Sequence, residues 1–163
     1  MVTHAPPPLS VALSLLFGTV ALGGVGLASI EGLPFAAVGL LLVAVGLLRG
    51  SRSWLSRGTV VAATGVIVAG ARGAPPEPLL VGLLGTILAW DVGEHAVGLG
   101  EQLGREAETT RVEVAHAAAS LTVGAGATVL GYGVYLGATG GQPVAALVFL
   151  LIGVTALVAA LRN

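Results

Sequence analysis

The sequence predicts an all-α fold: a polytopic membrane helix bundle of about six transmembrane helices, forming a single membrane domain over residues 1–163. Three observations carry that prediction. Only 9% of the residues are charged, whereas soluble domains carry about a quarter because their surfaces must face water. Mean hydropathy is +0.98. Long apolar runs recur from end to end, and a helix needs roughly 20 such residues to cross a hydrocarbon core of about 30 Å.

The first span covers residues 9–30 and carries no charge. A cleaved signal peptide is its rival, but only His4 precedes the apolar run where a basic segment would stand, which favours a retained helix. Pro6, Pro7 and Pro8 sit where a helix start tolerates proline. The sequence EGLP at 31–34 reads as a tight turn, with Pro34 opening the second span at 33–48. RGSRSWLSR then reads as a short loop carrying Arg49, Arg52 and Arg57, with Trp54 as an interfacial anchor. The third span is expected at 58–72. RGAPPEP at 72–78 reads as a turn, because its three prolines oppose a continuing helix. The fourth span follows at 78–98, the fifth at 112–137, and the last at 143–161 after the loop GATGGQP. The strictly apolar parts of the third and fourth spans are short for a full crossing, so a re-entrant hairpin is the alternative there.

The cations set the orientation. All seven are arginine, and with six spans Arg72 alone falls on one side of the membrane. Loops rich in Lys and Arg face the cytoplasm, so both termini are expected there, in the plasma membrane of a prokaryote. Arginine without lysine, amid abundant Ala, Gly and Val, suggests a GC-rich genome. There is no cysteine, which excludes disulfides and thiolate metal sites. No basic patch of the kind that binds phosphate backbones is present, so no nucleic-acid partner is expected. The bilayer itself is the expected partner. Glycine-rich faces such as Gly133-x-x-x-Gly137, with Gly124 and Gly126 two turns earlier, suit close crossings within the chain or in a homo-oligomer. No glycine-rich nucleotide cradle occurs, and no cofactor is expected.

Six of the eight carboxylates and two of the three histidines crowd into AWDVGEHAVGLGEQLGREAETTRVEVAHAAAS, residues 89–120. At about 100° per residue the polar groups fall in one arc, with Val92, Ala96, Leu99 and Leu103 opposite. The candidate functional cluster is Asp91, Glu94, His95, Glu101, Arg105, Glu113 and His116. A polar cytoplasmic hairpin over 91–113 would pair Glu101 with Arg105 at i,i+4 and bring Asp91-x-x-Glu94-His95 toward Glu113-x-x-His116. Counting from Leu79 puts Asp91 inside the apolar layer, whereas the neighbouring Trp90 argues for the interface.

The run WDVGEHAVGLGEQLGREAETTRVEVAHAA, set between Gly/Ala/Val/Leu helices, resembles a family of uncharacterised haloarchaeal multi-pass membrane proteins. The resemblance covers chiefly residues 79–160. It implies an integral membrane protein without assigned activity, encoded near MoxR-type ATPases, and hence a cytoplasmic protein partner. The expected function is a non-enzymatic scaffold that docks such a partner through its acidic 91–116 stretch. One alternative is a small proton- or ion-coupled transporter titrating through Asp91, Glu94 and His95. Another is a metal-binding membrane protein using Glu113 and His116, whose i,i+3 spacing occurs in carboxylate-bridged metal bundles. Hydrolysis by a His–carboxylate pair with Ser120 or Thr110 is the weakest reading, because nothing in the spacing places a nucleophile beside a base.

Overall fold

A computed structural model describes residues 5–103 and 108–137. Among these residues it holds five helices and no strand: α1 (Pro8–Ala28), α2 (Leu33–Arg49), α3 (Arg52–Ala71), α4 (Pro76–Leu103) and α5 (Thr110–Gly137). Four of them, all but α2, are long and apolar enough to cross a membrane. The expected sixth span at 143–161 lies outside the described residues, as do Arg105 and Glu106.

The helix boundaries follow from local chemistry. Pro8 starts α1 at a position whose N–H would have no helical partner. At the first turn the Ser29 hydroxyl accepts the N–H groups of Glu31 and Gly32, at 3.2 and 3.4 Å, closing the link to α2. The loop expected over 49–57 is only Gly50 and Ser51. Gly50 takes the left-handed conformation (φ 58°, ψ 36°), and Ser51 N–H bonds to the Gly46 carbonyl at 2.8 Å. That αL termination stops α2 within one residue, and α3 begins at once, so Arg52, Trp54 and Arg57 are helical. The prolines of RGAPPEP are also partly helical. Pro76 and Pro78 lie in the first turn of α4, where the missing N–H costs nothing.

These shifts lengthen the third and fourth helices beyond their strictly apolar parts. Helix α3 has 20 residues and α4 has 28, and the short helix is α2 with 17. At 1.5 Å per residue α3 extends about 30 Å, the thickness of a hydrocarbon core. Its ends are marked by charge: Arg52 at one, and the ion pair of Arg72 Nε with Glu31 Oε2 (2.6 Å) at the other.

The chain divides into two compact units, Met1–Thr128 and Val129–Asn163. In the first, α1 packs antiparallel to α4 and α2 antiparallel to α3. The seams are made of small residues. Gly32, which precedes α2, and Gly39 and Gly46 within it recur every seventh residue, as do Gly58 and Gly65 on α3. A Cβ at Gly39 would stand 2.5 Å from the Ala62 backbone nitrogen, and one at Gly46 2.5 Å from that of Leu55. A seven-residue repeat returns to nearly the same helix face every two turns, so each of these glycines admits the partner backbone. Between α1 and α4 the same role falls to Gly24 against Gly82 and to Gly85 against Ala21. Val43, Leu47, Leu55 and Ala96 fill the core between α2, α3 and α4.

Among the described residues the close crossings lie at these seam glycines rather than at Gly124, Gly126, Gly133 and Gly137. Gly126, Gly133 and Gly137 meet no heavy atom of the described residues at Cβ distance, and only Gly124 makes a contact, with Leu84. In the second unit, the described part of α5 stacks Tyr132 on Tyr135 with ring centroids 6.1 Å apart.

Candidate functional site

The polar stripe of α4 splits into two faces. Glu94 and Glu101 are seven residues apart and share a side, toward α3. There Arg52 reaches both: Nη1 to Glu94 Oε2 at 3.1 Å and Nη2 to Glu101 Oε2 at 2.9 Å. Asp91 and His95, four residues apart, share the other side, toward α5. Residues 94 and 95 lie about 100° apart around the axis, so one polar arc serves two neighbours. Glu101 thus pairs with Arg52 of α3, a partner that local spacing could not supply.

On α5, His116 and Ser120 meet Asp91 and His95. The imidazoles of His95 and His116 stack, with centroids 3.9 Å apart and planes 11° from parallel. The Ser120 hydroxyl donates a short hydrogen bond to Asp91 Oδ2. His116 Nε2 lies 3.0 Å from that same oxygen, within ion-pair distance. It nevertheless makes no hydrogen bond with it, and Nε2 of His95 is likewise buried without a hydrogen-bond partner among the described residues. We take the contact as a close approach in poor alignment, because a hydrogen bond weakens steeply when the N–H points away. A groove of about 360 Å³ opens beside the cluster, walled by Ile87, Leu88, Trp90 and Val123 and reaching Asp91 and Ser120.

The cluster begins one turn inward from the Arg52 contacts: Asp91 precedes Glu94 by three residues, about 4.5 Å along the axis, and Glu101 by ten, about 15 Å. The Asp91 side chain is 36% exposed and that of His116 is 31%.

Glu113, expected beside His116, faces elsewhere. It is 3% exposed, and its Oε2 accepts both the N–H and the hydroxyl of Ser10, each at 2.7 Å. Oε1 accepts the Thr109 hydroxyl at 2.8 Å. Ser10 is in the first turn of α1, whose N-cap residue Pro7 offers no side-chain acceptor. Glu113 therefore caps α1 from a different helix and also sits in the first turn of its own. Two helix N-termini converge on one buried carboxylate, each favouring negative charge. No sequence signal marks this, because the partners are more than a hundred residues apart.

Of the residues singled out in advance, the fold gathers Asp91, His95 and His116. It sends Glu94 and Glu101 to Arg52 and Glu113 to Ser10, and Arg105 lies outside the described residues. Ser120 joins the cluster as a donor to Asp91. The Glu113-x-x-His116 pair is divided between separate partners, and among the described residues no group of three or more His, Asp or Glu is arranged to hold a metal ion.

No curated protein and no solved structure matches the chain. Residues 4–158 match one family model, described as a family of unknown function, DUF7519.

Proposed function

Because the chain belongs to DUF7519, a family whose own function is unknown, we propose from the geometry that it is a small proton-coupled membrane protein working through Asp91, His95 and His116. The observation that carries this reading is the buried His95 Nε2, without a hydrogen-bond partner among the described residues, stacked against a His116 whose Nε2 is in ion-pair contact with Asp91. Buried polar atoms in native proteins are nearly always hydrogen-bonded, and exceptions call for a proton, water or ion in the working molecule. Histidine exchanges its proton near neutrality, and acids and histidines between membrane helices form proton relays. The stacked rings, the shared Asp91 oxygen and the adjoining groove give a proton a series of acceptors between apolar helices.

The finer placement belongs to the same proposal: six spans, both termini in the cytoplasm, the plasma membrane of a haloarchaeon. Docking of a cytoplasmic protein, such as a MoxR-type ATPase, is the second reading. What favours it is the exposure of Glu101 and Glu108 at the Arg52 end. What weakens it is that Glu94, Glu101 and Glu113 already have partners within the chain.

Proton flux in reconstituted vesicles tests the first reading. With an imposed potassium diffusion potential, the wild-type chain should acidify a dye-loaded lumen faster than empty vesicles do. Asp91→Asn should reduce that rate about tenfold, as expected when a relay loses a transferable proton. Flux equal to that of empty vesicles, or unchanged in Asp91→Asn, would overturn it. Pull-down with Glu101 and Glu108 reversed to Lys separates the docking reading, which predicts loss of the partner.

A further inference from the structure

At the Arg52 end two other arginines are arranged differently. Arg52 and Arg72 each hold a carboxylate. Among the described residues no carboxylate pairs with Arg49 or Arg57. Both instead lie over one ring: the guanidinium carbon of Arg49 is 5.9 Å from the Trp54 centroid and that of Arg57 is 5.4 Å. Cation–π attraction orients them, but it leaves two like charges at one half-buried indole with no carboxylate paired to either among the described residues. Trp favours the membrane–water boundary, and Arg49, at the end of α2, and Trp54, in the first turn of α3, lie at one end of their helices.

A second observation gives the anion its shape. From Arg57 the same side of α3 continues through Val60 and Ile67, which are 66% and 70% exposed. Spacings of three and ten residues keep both within one stripe below the guanidinium. A cationic cluster at the boundary with an exposed apolar stripe beneath it fits an amphiphile with an anionic head. Arginine forks match phosphate oxygens, and planar guanidinium stacks on aromatic faces while doing so.

We propose that Arg49, Trp54 and Arg57 form a binding site for the phosphate of an anionic phospholipid, with an acyl chain lying along Val60 and Ile67. A phosphate at this end of α2 and α3 supplies the charge the two arginines lack, and basic pockets beside membrane helices hold anionic headgroups. This site is separate from the Asp91 cluster and stands or falls apart from it.

Native mass spectrometry of the full chain in neutral detergent tests this. Equal concentrations of dioleoyl phosphatidylglycerol and dioleoyl phosphatidylcholine should yield severalfold more phosphatidylglycerol adducts. High salt should narrow the ratio, and inorganic phosphate at the same concentration should not displace the lipid. In Arg49→Gln/Arg57→Gln the ratio should fall to about one, whereas Arg111→Gln, a single-charge control on α5, should keep it. Equal retention of the two lipids by the wild-type chain overturns the proposal whether or not the double variant folds. So does a preference that survives in a folded double variant, or equal loss in the Arg111 control.

Discussion

At the scale of single residues, burial rather than charge count decides which polar group matters for stability. Arg52 holds two carboxylates and Glu113 holds none of the cations, yet Glu113 is the more consequential. Arg52 is half exposed, so water and salt compete for its pairs. Glu113 is enclosed, and its removal strands the Ser10 N–H, two hydroxyls and the first turn of α1. Losing the acceptor for buried donors costs about 1–3 kcal/mol, and more when the acceptor was charged. Glu113→Ala is expected to destabilise the chain by about 2–4 kcal/mol in thermal unfolding in detergent. Glu113→Gln should lose less, because an amide oxygen still accepts. Arg52→Ala should cost less than either, and its effect should disappear in high salt. An Arg52→Ala loss exceeding that of Glu113→Ala would show that the exposed pairs, not the buried cap, hold the helices together.

At the scale of helices, side-chain size sets the spacing. The α1–α4 and α2–α3 seams bring backbones together at glycines, and van der Waals contact replaces the water-driven burial that lipid does not provide. Neighbouring glycines of α1 offer an internal contrast. A Cβ at Gly24 would lie 2.6 Å from the Gly82 nitrogen and 2.9 Å from the Pro78 carbonyl oxygen, whereas one at Gly23 meets nothing of the described residues within 4 Å. Backbone cannot swing aside as a side chain can, so Gly24→Ala must push α1 from α4. An overpacking cost of about 1–3 kcal/mol is expected for Gly24→Ala. Gly23→Ala should be neutral or slightly stabilising, since Ala is the better helix former. Paired thermal melts of the two variants check this, and equal melts would mean that the seam is not as close as described. The seventh-residue rhythm of Gly32, Gly39 and Gly46 was present in the sequence. It is a better guide to tight packing than a single Gly-x-x-x-Gly, because a repeat marks a face and a pair does not.

At the scale of the whole chain, charge marks two levels about 30 Å apart along α3: Arg52 with Glu94 and Glu101 at one, Arg72 with Glu31 at the other. That separation matches a hydrocarbon core, and both levels would then lie at membrane surfaces. Asp91 stands three residues, about 4.5 Å, inward from Glu94 along α4. Since the chain has no cysteine, single substitutions report sidedness without background. In intact cells a membrane-impermeant maleimide is expected to label Ala74→Cys and to reach Ser53→Cys only after lysis. Labelling of both from the same side would mean that α3 does not cross.

The sequence by itself determined the class of molecule, because 9% charge cannot clothe a soluble surface. It also located the five described helices, since apolar runs bounded by proline, glycine and arginine leave few other places to turn. It located the charged stretch and one polar arc on α4. Only the tertiary structure decided what that arc does. Periodicity fixes a side chain's angle about its own helix axis, but it carries no information on which neighbour stands at that angle. Glu94 and His95 are adjacent in sequence and turn toward different helices, α3 for one and α5 for the other. Glu113, three residues from His116, turns to α1. The small-residue seams set α1 beside α4 and α2 beside α3, and α5 meets α1 and α4 through the side chains of Glu113, His116 and Ser120, pairings of helices that no single stretch contains.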